Sequence, residues 1–442
     1  MTTPGLGLKA LSRNVGATFG RQIAAAVLGL VTMALIARAF GPEGMGAYAV
    51  ALLLPTTLTT FLNLGVAPAN VYHLGSGQVG VGTLLRANIR IALWLTAIGI
   101  GIGSAVLTWY SELFFPSVPP LVLWLALAMF PLSLLTSFLL SVFQGLQQFR
   151  PFNTILVAQP TVLFVLVLSL AAAGSRELVL LIGASFLAQV LMLAMAWAKL
   201  RPLRANGPVS EPTPGFLKKT LGYGWKAHLS NILAFVNYRA DIFIANLFLG
   251  PASVGVYVVS VAFAEKLWMI SQSVSTVLLP RLSQLTSDET KRKQLTPLIA
   301  RWVLFTTLLG ASIVAVVGGP FIYAVFGTEY RAALTPLLIL LPGIVAGSVA
   351  RVLANDIAAR GRPELNLYTS IVVVTVNIIG NVLLIPRFGL AGAAGATTIA
   401  YTLNLLLRLI IYGRFTQNRW ADSLFLKASD VGMLRKAIGR KS

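Results

Sequence analysis

The residues best equipped for chemistry lie in one mostly apolar stretch, from Gly215 to Pro280. Lys226, Asn237, Arg239 and Asp241 precede a Leu249-Gly250-Pro251 break, and Glu265 and Lys266 follow it. Arg351, Asn355 and Asp356 sit in a later apolar run, and Arg21 and Arg90 in two earlier ones. A charge at mid-bilayer costs about 2.5–3.5 kcal/mol even on a lenient insertion scale, so these groups should face a polar interior, one another or a ligand. Guanidinium and ammonium groups suit phosphate or carboxylate. Arg21, Arg90, Lys226, Arg239 and Arg351 are therefore the candidate substrate-binding residues. Asn237, Asp241, Glu265 and Asp356 are the candidates for ion coupling or for setting the electrostatics of a cavity, with Na+ or H+ as the ion.

Helical phase orders these residues. Asn237 and Asp241 are i,i+4 neighbours, and Lys226 returns to nearly the same face. Arg239 points about 200° away from Asp241 on an ideal helix. Either the helix is distorted there, or Arg239 faces a neighbouring helix while Asp241 faces the cavity. Glu265 falls near the middle of the helix predicted over 253–279, with Gln272 seven residues on and so on the same face. Each candidate has a plainer alternative. Glu265 could be a counter-ion for Lys266 or Arg239, Asp356 could pair with Arg360 at i+4, and Arg21 and Arg90 could snorkel to the cytoplasmic interface.

Other chemistries are excluded. The chain has no Cys and only His73 and His228, which rules out a thiolate or histidine-rich metal centre. No Gly-rich phosphate loop ending in Gly-Lys-Ser/Thr is present. Neither a catalytic residue nor a cofactor is expected, and transport driven by an ion or substrate gradient is favoured over an enzyme.

The elements that must position these residues follow from composition. Of 442 residues, 57% are hydrophobic and 11% charged, against about 25% charged in a soluble domain. This is a membrane protein, and spans of roughly 20 apolar residues can be drawn at 16–38, 45–67, 85–108, 119–142, 152–173, 177–199, 220–248, 253–279, 296–318, 332–357, 365–385 and 390–413. The first is expected to be a membrane helix behind a short cytoplasmic lead, because its apolar run is too long for a signal peptide. With the N-terminus inside, 23 Lys and Arg fall in cytoplasmic segments or, as Arg86, Arg90 and Lys199 do, near the cytoplasmic ends of spans, and 4 in outside loops, the bias expected of cytoplasmic loops. That places both termini in the cytoplasm. It also explains most of the +21 net charge through anionic membrane lipids rather than nucleic acid.

A Pro- and Gly-rich linker at 200–219 divides the chain into a bundle at 1–199 and another at 220–413, with a basic tail at 414–442. Phe40-Gly41-Pro42-Glu43-Gly44-Met45-Gly46-Ala47-Tyr48 is echoed by Leu249-Gly250-Pro251-Ala252-Ser253-Val254-Gly255-Val256-Tyr257, and Arg150-Pro151-Phe152-Asn153 more weakly by Arg362-Pro363-Glu364-Leu365-Asn366. The echoes predict a parallel repeat about an axis along the membrane normal. Pro55, Pro131, Pro160, Pro336 and Pro342 fall inside predicted spans and should bend them.

Several of these stretches also carry a family resemblance: Ala37 to Tyr48, Asn237-Tyr238-Arg239-Ala240-Asp241, Ala264-Glu265 through Leu279-Pro280-Arg281, Leu341-Pro342-Gly343, Ala359 to Asn366, and Ile385-Pro386-Arg387-Phe388-Gly389-Leu390-Ala391-Gly392-Ala393-Ala394. Together they resemble the bacterial Wzx-type flippases of the multidrug/oligosaccharidyl-lipid/polysaccharide exporter superfamily. The resemblance implies an all-α polytopic fold, with twelve transmembrane helices in two six-helix bundles arranged as a V. It implies an undecaprenyl-diphosphate-linked glycan as substrate, moved between leaflets of the bacterial inner membrane by alternating access for surface polysaccharide synthesis, with a polysaccharide polymerase complex as a further partner. Arg239, Asp241, Glu265 and Arg351 sit where such proteins carry cavity charges. A lipid II flippase, a drug/cation antiporter of the same superfamily and a membrane-embedded ligase or polymerase are the alternatives.

Overall fold

The computed structural model describes residues 8–75, 77, 79–205, 216–284, 289–427 and 430. These form only helices: α1 Leu8–Leu62, α2 Val66–Gly75, α3 Val81–Trp109, α4 Ser111–Phe114, α5 Pro120–Gly145, α6 Phe149–Ala172, α7 Leu178–Ala205, α8 Phe216–Lys266, α9 Trp268–Gln284, α10 Glu289–Phe326, α11 Leu334–Ala359, α12 Pro363–Thr416 and α13 Ala421–Leu424. Among the described residues, nine helices are long and apolar enough to cross a membrane. The protein is therefore an all-α, multi-pass membrane protein. Lipid offers no partner for backbone N–H and C=O groups, which is why helices carry nearly every residue.

Three of the nine are interrupted by a glycine with non-helical backbone. Gly41 in α1 has φ 67°, Gly250 in α8 φ 74° and Gly389 in α12 φ 58°. A side chain is strained at such φ values. At the first two, a proline follows at the first position of the next helical piece, where its missing N–H costs nothing. A fourth break is not foreshadowed by Gly or Pro. The expected single helix over 253–279 ends at Lys266 and restarts at Trp268. Glu265 and Gln272 thus lie on different helices and share no face.

The chain divides into two compact units, one of residues 1–232 with 250–255 and the other of 233–249 with 256–442. In the first, a core of Leu84, Leu85, Leu139, Phe143, Ile155 and Met192 is packed between helices. Its polar interior is built from neutral pairs. Asn70 donates to Ser141 at 2.9 Å, Gln159 to Gln189 at 2.9 Å, and Tyr48 shares a 2.9 Å bond with Ser185. The repeated glycines have a definite purpose here. A Cβ on Gly46 would lie 1.7 Å from the Pro251 carbonyl oxygen, and one on Gly255 would lie 1.9 Å from that of Pro42.

The second unit is different: among the described residues every buried Asp and Arg belongs to it, namely Asp241, Arg292, Arg301, Asp356, Arg408 and Asp430. In it α11 packs along α12, where Gly343 meets the Thr398 backbone too closely to admit a side chain. The segment after α12 is fastened to α10. The Arg301 guanidinium takes both carboxylate oxygens of Asp430 at 2.7 Å and also donates to the Asp422 carbonyl. These hydrogen bonds hold the Asp430 carboxyl below its usual range. A depressed carboxylate stabilises the folded form above its unfolded pKa and loses that contribution as pH falls through the folded value.

Two outcomes are expected. Gly46→Ala should lower the thermal midpoint in detergent by several degrees, whereas Gly101→Ala, whose Cβ meets nothing within 4 Å, should not. Asp430→Asn should make the segment after Gln417 more sensitive to limited proteolysis at neutral pH. Wild type should gain that sensitivity only on acidification below about pH 4, the unfolded carboxylate range.

Candidate functional site

Besides the Arg301–Asp430 fastening, three arrangements of charged and polar groups stand out in the second unit, all built from its own helices. The first is a closed ionic cluster where α10 and α11 meet. Asp356, fully buried, lies 3.5 Å from Arg292 and 2.5 Å from Arg360, and accepts the Thr296 hydroxyl at 2.5 Å. Arg360 also reaches Glu289 at 2.7 Å. Asp356 lines neither of the two cavities described below. Its expected i+4 partner is present, but Arg292, from a different helix, is what makes it a structural lock.

The second arrangement surrounds Asp241 on α8. Its carboxylate accepts the Tyr257 hydroxyl at 2.7 Å, the Ile242 amide at 2.8 Å and, at 3.5 Å, the Thr397 hydroxyl of α12. Behind Thr397, Asn377 donates to its hydroxyl at 3.4 Å, and Asn381 donates to Asn377. The Asn381 side-chain oxygen is buried without a partner. Asp241 and Glu265 border a void of about 10 Å³, room for one water or small ion. Arg239 lies 3.5 Å from Glu265, both half-buried. Arg239 thus faces Glu265 across the Gly250 break of α8, and Glu265 serves as its counter-ion.

The third arrangement is a larger cavity of about 130 Å³, lined by Asn237, Tyr238, Trp268, Arg351, Asn404 and Arg408 among others. Arg351 on α11 stands over the Trp268 ring, its Cζ 5.3 Å from the centroid, and donates to the Tyr238 hydroxyl at 3.4 Å. Arg408 on α12 is 7% exposed. It donates to the amide oxygens of Asn404 at 2.7 Å and Asn366 at 2.6 Å. Neither arginine has a carboxylate partner among the described residues. Neutral amides satisfy hydrogen bonds but leave the charge uncancelled. Two arginines and no Asp or Glu line the cavity. Tyr238 and Tyr401 border both this cavity and the void beside Asp241.

The structure therefore brings Asn237 and Arg351 into the large cavity, and Asp241 and Glu265 to the small void. Arg239 is beside Glu265, Asp356 is locked elsewhere, and Arg90 is exposed on α3. The side chains of Arg21 and Lys226 lie outside the described residues. Arg408 is not among the residues singled out in the sequence, because it lies near the end of the span drawn at 390–413. Asn404 one turn earlier was the available signal, since a polar i,i+4 pair inside Leu405-Leu406-Leu407-Arg408-Leu409 has no lipid-facing role. No group of three or more His, Cys, Asp or Glu suited to a metal occurs among the described residues.

The family model for polysaccharide biosynthesis proteins matches residues 35–335, more than half of the chain. The chain belongs to this family. Within curated proteins it is similar to a probable low-salt glycan biosynthesis flippase, Agl15, of Haloferax volcanii, 25% identical over 49% of this chain and 46% of that protein. It is also similar to the capsular polysaccharide biosynthesis protein CapF of Staphylococcus aureus, 29% identical over 33% of this chain and 37% of that protein. Each match thus spans less than half the length of the relative. Among solved structures, the lipid II flippase MurJ in an inward closed conformation aligns with a TM-score of 0.73, 16% identity and coverage of 88% and 87% of the two chains. An outward-facing multidrug resistance transporter of the MOP superfamily aligns at 0.65, with 14% identity and coverage of 94% and 99%. The fold of this family member is thus shared with transporters of that superfamily.

The two kinds of arginine should separate in a stability assay. Asp356→Asn strands Arg292 in a buried cluster, while Arg360 keeps Glu289, and should cost about 3–5 kcal/mol, read as a markedly lower thermal midpoint in detergent. Arg351→Gln, which removes a charge with no carboxylate to strand, should shift the midpoint little.

Proposed function

We propose that this protein moves a lipid-linked glycan, joined to its lipid through phosphate, across a membrane by alternating access. The observation that carries this is the pair Arg351 and Arg408, two guanidiniums lining one cavity with no carboxylate partner. Uncancelled charge away from water calls for an anionic ligand, and the planar guanidinium fork suits phosphate oxygens. The family match and the glycan-flippase relatives favour a glycan carrier. The substrate we assign is an undecaprenyl-diphosphate-linked oligosaccharide, carried from the cytoplasmic to the outer leaflet of a bacterial inner membrane with both termini in the cytoplasm. Lipid II has the same diphosphate-sugar chemistry, and the likeness of fold to a lipid II flippase supports it as the second reading. Cationic drugs fit a cavity of this sign poorly, although the fold is shared with multidrug transporters.

The arrangement we assign is twelve spans, with the breaks at Gly41, Gly250 and Gly389 each dividing one continuous helix into two crossings. The linker at 200–219 would join bundles at 1–199 and 220–413, related by the repeat. Coupling is assigned to Asp241 and its neighbours. The Asp241 carboxylate and the Thr397 hydroxyl at the small void are oxygen donors, which suit a hard cation such as Na+, and a proton on Asp241 is the alternative ion. Arg21 and Lys226 would meet the diphosphate on entry, and Arg239 with Glu265 would adjust the charge of the pathway.

Purified protein in liposomes with a fluorescent undecaprenyl-diphosphate sugar tests this directly. Leaflet exposure should change in a protein-dependent manner. Arg351→Gln or Arg408→Gln should slow it by tenfold or more, on the order of the 1.4 kcal/mol or more expected from a lost charge-assisted contact. Asp241→Asn should abolish any acceleration by a Na+ or H+ gradient. Folded wild-type protein that moves no such lipid would refute the assignment.

A further inference from the structure

Trp268 does more than close the core. It is the first residue of α9, directly after the break at Leu267. Its ring is 5.0 Å from that of Tyr238 and 5.4 Å from that of Tyr401, and these two are 6.4 Å apart. All three line the cavity that holds Arg351 and Arg408. Although Trp268 is 6% exposed, its indole N–H has no partner. A buried indole normally finds an acceptor, so an unfilled donor is left at the cavity wall. The Asn237 side-chain oxygen, on the same wall, is likewise unpartnered. Opposite the indole edge stands Gly347, where a Cβ would sit 3.5 Å from Nε1. Any larger residue there would cover the N–H.

An aromatic face, an unpaired donor, an unpaired acceptor and a guanidinium thus border a space of about 130 Å³, room for about four waters. That is far too small for an oligosaccharide, and a single sugar ring enters only once Arg351 is drawn aside from the indole. A pyranose has an apolar C–H face that packs on an aromatic plane and hydroxyls that both donate and accept. We propose that Trp268, with Tyr238, Tyr401 and Asn237, forms a saccharide subsite that reads the sugar bonded directly to phosphate, while Arg351 and Arg408 hold the phosphoryl group. In the form described here Arg351 covers the indole face by a cation–π contact. A phosphoryl group competes for that guanidinium, and drawing it aside frees the face for the ring. Phosphate and first sugar are then recognised together.

This subsite rests on the proposed function, and its test keeps the two apart. Full-length protein in nanodiscs is titrated with a short-chain prenyl diphosphate and with the same lipid bearing one hexose. Wild type should bind the glycosylated lipid about three- to tenfold more tightly, the range expected from one aromatic stacking contact. Trp268→Leu should bring that ratio close to one, and so should Gly347→Val, which covers the indole edge without removing the ring. If Trp268→Leu fails to fold, Gly347→Val decides. A wild-type ratio near one, or a ratio that survives in both variants, overturns the subsite. Loss of affinity for both lipids by the same factor assigns Trp268 a bracing role and also overturns it. Failure of the bare prenyl diphosphate to bind, or binding indifferent to Arg408→Gln, instead refutes the anion cavity itself.

Discussion

The second unit depends on how it accommodates buried charge. Ions removed from water must be matched locally or left to a ligand, and both solutions occur within a few helices. Asp356 with Arg292 and Arg360, and Asp430 with Arg301, are matched pairs that tie α10, α11 and the segment after α12 together. Arg351 and Arg408 are unmatched, held by aromatic and amide groups that orient without neutralising. Matched charge ties helices together, and unmatched charge leaves the cavity wall positive. The first unit differs, since its described buried polar groups are hydroxyls, amides and one histidine.

Tyr238 and Tyr401 give the arrangement its connection. They border both the anion cavity and the void beside Asp241. Tyr238 lies three residues before Asp241 on α8 and accepts a hydrogen bond from Arg351. Thr397, which donates to Asp241, lies one turn before Tyr401 on α12. A shift of either helix segment that changes the carboxylate's surroundings must therefore also move the wall on which the anion site is built. Linkage of this kind requires no long pathway, only two sites sharing the same rigid pieces.

Much of this was legible in the sequence, for reasons that differ by residue. Gly41-Pro42 and Gly250-Pro251 announced breaks because positive φ and a helix-starting proline leave a local signature. Arg239, Asp241, Glu265 and Arg351 stood out because ionised groups are rare in apolar runs. The small residues in the repeated Gly-x-Tyr were visible as an echo, but not the backbone crossing that requires Gly46. The helix restart at Trp268 had no Gly or Pro to mark it, and it removed the shared face expected of Glu265 and Gln272. Arg408 was not singled out, because it lies near a span end and its company of Asn404 and Asn366 depends partly on tertiary packing. Asp356 shows the converse, since its i+4 neighbour was visible but the partner from α10 depends on tertiary packing.

The central claim is that the unmatched guanidiniums hold the substrate's phosphate. A structure of the protein bound to an undecaprenyl-diphosphate glycan tests it most directly. The account predicts phosphate oxygens at charge-assisted hydrogen-bond distance, about 2.7–2.9 Å, from Arg351 and Arg408, with Arg351 withdrawn from the Trp268 face. A bound glycolipid whose diphosphate lies elsewhere, with Arg351 still stacked on the indole and Arg408 still held only by Asn366 and Asn404, would contradict it.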